Sequence, residues 1–294
     1  MNAPKLAFGT GTKWFRRSDA NSDSDAVNHE LVASIVSALR AGFTHIDTAE
    51  MYNTEIEVGL ALAQHMRETG LKRDHFYITT KVSAPPADIP NSMARSLANM
   101  GPALEGYVDL YLIHSPFWDY TETSELSMSK VWGQMQSLVI DTKQARAIGV
   151  SNWRQQDFDA VLATKPVILP AVNQIEFHAY IQNPALQEYM AKHGIRTAAY
   201  GPLQPLIKFA ESGPVKAVVD RIAEAKGAGV TGSQVLLAWG FAQGSIQVTT
   251  SAKEERVREA VAALSVELTS SEVEEISAAG RGLELRKFWV GQKF

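Results

Sequence analysis

The stretch YVDLYLIH, residues 107–114, decides the fold class of this chain. Apolar side chains run through it almost without interruption, which indicates that both faces of the strand are buried. A strand with one solvated face would alternate apolar and polar residues, whereas a strand buried on both faces is typical of a parallel sheet covered by helices. The stretch therefore predicts an α/β protein.

Seven further β-rich runs are of the same kind, and amphipathic helical patterns separate them. Leu31, Ile35 and Leu39, for example, recur at the spacing of one helix face. The runs are KLAFGT at 5–10, THIDT at 44–48, FYITTKV at 76–82, ARAIGVS at 145–151, AVNQIEF at 171–177, IRTAAYG at 195–201 and SIQVTTS at 245–251.

Eight strands that alternate with helices fit a (β/α)8 or TIM barrel, and 294 residues suit one such barrel. A doubly wound open sheet is the alternative. Because no flexible linker or low-complexity tract divides the sequence, we expect a single domain over residues 1–294. The connection at about 115–130 should form a long loop at the barrel mouth, and the tail at 280–294 should line the substrate pocket.

Composition excludes several function classes. A net charge of -4 with 20% charged residues gives no strong field that would favour nucleic acid or an anionic membrane. The sequence contains no cysteine, and its seven histidines show no metal-ligand spacing. No long apolar run or signal-peptide pattern occurs. We therefore expect a cytoplasmic monomer or weak dimer without metal, membrane or nucleic-acid partners, whose redox chemistry would need a borrowed cofactor.

Polar side chains follow the predicted strands at the ends where barrel enzymes carry their chemistry. Asp47 and Tyr52 follow the second strand, Lys81 ends the third and His114 ends the fourth. An ammonium group next to a phenol favours the phenolate, so Lys81 should lower the pKa of Tyr52 while Asp47 keeps Lys81 charged. A neutral His114 could donate a hydrogen bond to a substrate. The set therefore predicts a proton donor and a group that orients a carbonyl.

Each member of this set also has an ordinary structural interpretation. Asp47 could cap a helix, Tyr52 could pack in a loop, Lys81 could be solvated and His114 could be a core residue. Two other functions stay open as well. Lys81 could form a Schiff base with a carbonyl, or the barrel could bind a cofactor for regulation without turnover.

Six ordered segments resemble the aldo-keto reductase family. They are GFTHIDTAEMYNTEIEVGLAL, ITTKV, VDLYLIHSP, GVSNW, VNQIEFH and AYGPL, within a match from about residue 9 to about 265. The resemblance implies a barrel that binds NADPH (NADP+) in extended form and reduces an aldehyde, ketone or α-dicarbonyl to an alcohol. It makes Tyr52 the proton donor. Related enzymes that reduce a C=C bond carry glutamate at His114, so the histidine favours carbonyl reduction.

The resemblance also assigns the cofactor site. Ser151, Asn152 and Gln174 would hold the carboxamide of the nicotinamide, and Tyr200 would stack on its ring. Thr250 stands where the family usually has a phosphate-binding lysine, and some fungal members are similar in this respect. An arginine suits bidentate binding of a 2′-phosphate, so we expect NADPH to be preferred over NADH. The full predicted cofactor set is Thr12, Ser151, Asn152, Gln174, Tyr200, Gly201, Leu203, Thr250, Ser251, Lys253 and Arg256.

The substrate side departs from well-known aldose-type members. Ser83 and Ser115 stand where those enzymes carry tryptophans, so the pocket should be wider. Other large side chains could supply apolar walls instead. The predicted wall residues are Trp14, Met51, Phe117, Trp118 and Trp289.

Overall fold

The computed structural model describes residues 3–16 and 27–291, and within them eight parallel strands close into a barrel. The strands are β1 Leu6–Gly9, β2 His45–Asp47, β3 Tyr77–Val82, β4 Val108–Ile113, β5 Ala145–Ser151, β6 Val172–Glu176, β7 Arg196–Tyr200 and β8 Ile246–Thr249. Each strand pairs with the next in the chain, and β8 pairs with β1. The predicted α/β barrel is confirmed, and the open doubly wound sheet is wrong, because this sheet closes on itself.

Helices pack around the outside of the barrel. In the first of them, Leu31, Ile35 and Leu39 are buried as their spacing predicts, Asn28 caps the N-terminus and Gly42 follows in a left-handed conformation (φ 110°). The helices are α1 His29–Ala41, α2 Glu55–Thr69, α3 Ile89–Met100, α4 Met128–Ile140, α5 Gln155–Ala163, α6 Pro184–Lys192, α7 Gln204–Ile207, α8 Val215–Lys226, α9 Gly232–Ala242, α10 Glu254–Ala262 and α11 Ser270–Gly280.

The β4 strand is buried on both faces, as its apolar run predicts. Leu110 and Leu112 belong to a small cluster that includes side chains from β5 to β8, which places them in the barrel interior. Tyr111 and Ile113 belong to the larger cluster shared with the surrounding helices. Each of these four side chains is at most 1% exposed. Truncating Leu112 to alanine should therefore cost about 2–5 kcal/mol of folding free energy.

The register of the strands brings their carboxyl ends to one end of the barrel. Asp47 pairs with Thr79 of the next strand, two residues before Lys81. On the far side of the barrel, Ser151 of β5 pairs with Gln174 of β6. Polar residues that lie far apart in the sequence therefore meet at the barrel mouth.

Two segments cover this mouth. In the connection between β4 and α4, the indole Nε1 of Trp118 donates to the carbonyl of Leu126 at 3.0 Å. The tail after α11 returns to the barrel, where the amides of Lys287 and Phe288 donate to Glu176. Within the described residues, no helix is long and apolar enough to cross a membrane.

Candidate active site

The segment after β2 carries two of the predicted catalytic residues. Asp47 ends the strand, and a 3₁₀ turn at Glu50–Tyr52 brings the phenol over the barrel mouth. The hydroxyl of Thr54 lies 2.8 Å from that of Thr10 and 3.0 Å from that of Thr48, so this segment is held against the end of β1. Local hydrogen bonds thus fix the turn that presents Tyr52.

Asp47 does not cap a helix in this structure. Its Oδ1 accepts a hydrogen bond from Lys81 Nζ at 2.7 Å, and its Oδ2 accepts one from Gln174 Nε2, also at 2.7 Å. Lys81 Nζ also donates to the carbonyl of Thr48 at 2.7 Å. Burial lowers the pKa of the fully buried Lys81, and the Asp47 carboxylate opposes that shift. Because each charge compensates the other, removing one partner should cost about 3–5 kcal/mol of stability.

Tyr52 and His114 face each other at the mouth. The Tyr52 hydroxyl lies 3.3 Å from His114 Nε2, and the two rings meet edge to face with their centroids 5.3 Å apart. Burial lowers the pKa of His114 to about 3, and the nearby charge of Lys81 contributes. The imidazole is therefore neutral at pH 7, as the sequence predicts. A neutral imidazole carries one N–H that can donate to a substrate oxygen.

The expectation that Lys81 lowers the pKa of Tyr52 is wrong for this structure. Burial raises the pKa of Tyr52 above its usual value of 10, and the negative charge of Asp47 raises it further. Lys81 Nζ lies 5.0 Å from the centre of the Tyr52 ring, but its observed hydrogen bonds go to Asp47 and Thr48. The phenol is therefore protonated at pH 7, which is the form that a proton donor requires.

The predicted nicotinamide-binding residues form one connected network. The Ser151 hydroxyl donates to the carbonyl of Gln174 at 2.7 Å, and Asn152 Nδ2 donates to the carbonyl of His114 at 3.0 Å. The Tyr200 hydroxyl donates to Asn152 Oδ1 at 2.6 Å. Asn152 adopts a left-handed conformation (φ 62°), which asparagine tolerates better than most residues. The structure thus brings all four residues together beside His114.

A cavity of 340 Å³ lies where the resemblance places the adenosine end of the cofactor. Leu203, Thr250, Ser251 and Arg256 line it together with apolar side chains. The hydroxyl of Thr250 is buried and has no partner among the described residues. A buried polar atom without a partner costs about 1–3 kcal/mol, so a polar ligand at this point would relieve a cost. The apolar lining, this hydroxyl and the guanidinium fit a phosphorylated nucleoside.

Three other predicted cofactor residues lie outside that lining. Thr12 is exposed in the loop after β1, and Lys253 is exposed before α10, where its amide donates to Ser251 Oγ at 3.0 Å. Gly201 follows β7 with φ 66°, and a Cβ added there would lie 3.4 Å from the Phe288 ring. The tail therefore passes directly over the end of β7.

The predicted substrate walls separate into several places. Met51 lines a pocket of 660 Å³ with Phe15 and Ser83, whereas Tyr52 and His114 are not among its lining residues. Phe117 and Trp118 line another hollow of 500 Å³, and Trp289 packs on Phe117 with centroids 4.9 Å apart. Trp14 is only 4% exposed and packs in the core.

Gly11 and Phe15 are two further neighbours of the site that the sequence pattern does not predict. A Cβ added at Gly11 would lie 2.5 Å from two carbons of the Tyr52 ring, so only glycine leaves room for the phenol. Phe15 meets the same ring edge to face at 6.1 Å. The glycine-rich start FGTGTKW signals a close approach of backbone to something, but the spacing alone does not identify that partner as Tyr52.

Comparison with known proteins gives a consistent result. The model of the Aldo/keto reductase family matches residues 5–281. A NAD/NADP-dependent indole-3-acetaldehyde reductase of Schizosaccharomyces pombe is 37% identical over 279 residues, which cover 94% of this chain and 92% of the relative. A NADPH-dependent alpha-keto amide reductase of Saccharomyces cerevisiae is 36% identical over an alignment of 295 residues that covers 97% of this chain and 90% of the relative.

Solved structures show the same likeness. The aldose reductase of Schistosoma japonicum superposes with a TM-score of 0.79 at 27% identity, covering 99% of this chain and 92% of the other. An aldo/keto reductase of Brucella melitensis superposes with a TM-score of 0.74 at 27% identity, covering 94% and 95% of the two chains. The similarity in fold therefore extends over nearly the whole chain.

Proposed function

Because the chain belongs to the aldo/keto reductase family and is a nicotinamide-dependent oxidoreductase of that family, we propose that it reduces an aldehyde, ketone or α-dicarbonyl to an alcohol with NADPH. Tyr52 is the proposed proton donor. The observation that carries this proposal is the 3.3 Å approach of the Tyr52 hydroxyl to His114 Nε2, with the buried Lys81–Asp47 pair behind them.

Each side chain of the set has a defined part in this reaction. Ser151, Asn152, Gln174 and Tyr200 would hold the nicotinamide of NADPH, which would supply a hydride for the carbonyl carbon. His114, which is neutral, donates a hydrogen bond that orients the carbonyl oxygen, and the Tyr52 hydroxyl gives its proton to that oxygen. Lys81, Asp47 and Gln174 form a buried chain of hydrogen bonds that fixes the end of β2, from which Tyr52 projects.

The cavity at the end of β8 supports a preference for NADPH. Arg256 lines it, and a guanidinium binds a phosphate through two parallel hydrogen bonds. Glu259 lines the same cavity, and its carboxylate would repel the negatively charged 2′-phosphate of NADPH. The preference for NADPH over NADH should therefore be moderate. Measuring kcat/KM with each cofactor tests this, and equal values would contradict the proposed preference.

The 660 Å³ pocket is lined by Met51 and Asn53, the two chain neighbours of Tyr52, and its walls support a class of substrate. Ser83 lines the 660 Å³ pocket at a position where aldose-type relatives carry a bulky side chain, and Phe15 and Met51 supply apolar surface. The S. pombe and S. cerevisiae relatives are named for indole-3-acetaldehyde and for an alpha-keto amide. We expect carbonyl compounds with a sizeable apolar group to be the better substrates.

A panel of aldehydes, α-diketones and keto-lactones tests the activity directly. NADPH oxidation is followed by the absorbance of the reduced nicotinamide, and initial rates are compared across the panel. Turnover of at least one class supports the proposal. Tight NADPH binding without turnover of any carbonyl would favour the alternative of a regulatory barrel.

The Schiff-base alternative receives less support from the geometry. Lys81 is fully buried, and its Nζ already donates to Asp47 and Thr48. A Schiff base requires a neutral amine that a carbonyl carbon can reach. Covalent trapping of substrate on Lys81 by borohydride would overturn this assignment.

The single domain, the cytoplasmic location and the monomer or weak dimer remain predictions. Sedimentation velocity tests the oligomeric state.

A further inference from the structure

Glu176 is a buried carboxylate that the proton-donating set does not use. It ends β6, two residues after Gln174, and is 1% exposed. Burying a carboxylate is costly unless hydrogen bonds replace the water that it loses. The partners of Glu176 therefore indicate what this carboxylate is for.

Most of these partners come from the tail. The amide of Lys287 donates to Oε1 at 2.8 Å, and the amide of Phe288 donates to Oε2 at 3.0 Å. The Arg286 guanidinium lies 3.9 Å from Oε2, and His178 Nε2 lies 3.3 Å from Oε1. Each oxygen thus takes one of two adjacent amides, an arrangement that fixes both the position and the direction of the tail. We call residues 286–289 the mouth strap.

The mouth strap links the cofactor side of the site to the substrate side. Phe288 meets the Tyr200 ring edge to face, with centroids 5.3 Å apart at 86°. The next residue, Trp289, packs on Phe117 at 4.9 Å. Trp289 has a left-handed backbone (φ 52°), which is unfavourable for a bulky residue and persists only where neighbouring contacts hold it.

We propose that Glu176 is a positioning residue that fixes the mouth strap, so that Trp289 and Phe117 form one aromatic wall of the substrate site. The substrates that this wall would select are carbonyl compounds with a flat aromatic group, because aromatic rings pack best on other aromatic rings. This inference rests on the proposed carbonyl reduction for its substrate class. The anchoring of the strap itself does not depend on that reaction.

Hydrogen exchange of the free protein tests the anchor. Glu176→Gln keeps the shape of the side chain but removes its charge and replaces one acceptor with a donor. We expect the amides of Lys287 and Phe288 to exchange about tenfold faster, because each amide loses its charge-assisted hydrogen bond to the Glu176 carboxylate. Glu284→Gln is the matched control, since Glu284 is an exposed acid of the same tail, and it should leave exchange unchanged. Equal exchange in Glu176→Gln and wild type would overturn the proposal.

Steady-state kinetics test the consequence for substrates. In Glu176→Gln, KM for an aromatic ketone or aldehyde should rise about tenfold, while kcat for that substrate should stay within about twofold of the wild-type value. For a two- or three-carbon aldehyde, both KM and kcat should stay within about twofold. A purely structural defect would lower kcat for all substrates together, and that result would overturn the proposal. If the wild type reduces no carbonyl, the proposed function fails, whereas the exchange experiment still decides on the strap.

A second pair of variants tests the same contact from the tail, where folding of the barrel is not at stake. Lys287→Pro removes the amide that donates to Glu176, and Lys287→Ala keeps it. The proline variant should reproduce the KM effect on the aromatic substrate, and the alanine variant should not. The same KM in both variants would contradict the positioning role even if Glu176→Gln did not fold.

Discussion

Burial displaces the pKa values of Tyr52 and His114 in opposite directions, and both groups are consequently neutral at pH 7. The pKa of His114 falls to about 3, and that of Tyr52 rises above its usual value. A histidine with a lowered pKa is neutral above that value, and a tyrosine with a raised pKa is neutral below it. Under the proposed mechanism, both groups would therefore keep the protonation state that the reaction requires over a wide pH range.

The pH dependence of the rate follows from these two shifts. We expect kcat/KM for carbonyl reduction, measured with saturating NADPH, to be constant from about pH 5 to about pH 9. Initial rates in overlapping buffers of constant ionic strength check this. A break near pH 6.5 would show that His114 titrates at its ordinary pKa and would contradict the burial argument.

The same lowered pKa of His114 affects stability in acid. Between pH 6.5 and about 3 the unfolded histidine binds a proton and the folded one does not, so the free energy of unfolding falls as pH falls. From pH 7 to pH 5 the loss from this group should be about 2 kcal/mol. In His114→Gln, the free energy of unfolding measured with urea should fall by about 2 kcal/mol less between pH 7 and pH 5 than it does in the wild type. An equal decline in both proteins would contradict the shift.

The sequence is sufficient to place the four catalytic candidates but not to set their pKa values. Asp47 ends β2, Lys81 is the penultimate residue of β3 and His114 directly follows β4, so their meeting follows from the barrel pattern alone. The pKa of Tyr52 depends on where the hydrogen bonds of Lys81 point. That direction is set by packing in three dimensions, which sequence spacing does not specify.

At the scale of elements, the loop after β1 and the turn after β2 fit each other closely. Gly11 lies so close to the Tyr52 ring that any Cβ would displace the phenol. We expect Gly11→Ala to lower kcat about tenfold or more, with a change in Tm of only a few degrees, because the turn shifts while the barrel core is intact.

Gly133→Ala is the matched control for that substitution. Gly133 lies within α4, and nothing stands within 4 Å of a Cβ added there. Replacing this glycine should stabilise the helix by about 1 kcal/mol without affecting kcat. Unchanged kcat in Gly11→Ala would show that the glycine does not position Tyr52.

The strands are the elements that the sequence predicts best. Each of the eight predicted runs contains the observed strand, because apolar continuity is a strong local signal. The aromatic residues of the connections are predicted less well. Trp14 packs in the core, and Trp118 bonds within its own loop, because the choice between pocket wall and packing depends on tertiary contacts.

At the scale of the whole molecule, closure of the barrel brings together residues from opposite ends of the chain. Gln174 donates to Asp47 across 127 positions of sequence, and the cavity near Arg256 is lined by Phe8 of β1 and by α10. The pattern of eight strands predicts such closure. The anchoring of the tail on Glu176 could not be predicted, because no periodic pattern links an isolated tail to a strand end.

Cofactor choice is a property of this assembled cavity. At equal concentrations NADPH should raise Tm more than NADH, because the ligand that binds the folded state more tightly stabilises it more. Arg256→Gln should remove most of this difference in Tm, because the ratio of the dissociation constants for NADH and NADPH should change about tenfold. Arg258→Gln, on the exposed face of the same helix, is the control and should leave the difference unchanged.

The most direct test of the proposed mechanism is the single-turnover rate of NADPH oxidation in Tyr52→Phe. The variant should bind NADPH with unchanged affinity, measured by fluorescence titration, but should oxidise it about 10²–10⁴-fold more slowly with a carbonyl substrate that the wild type reduces, because general acid catalysis is lost. Tyr107→Phe, at the amino end of β4, is the matched control and should keep the wild-type rate. If Tyr52→Phe also kept the wild-type rate, the proposed role of Tyr52 would be wrong.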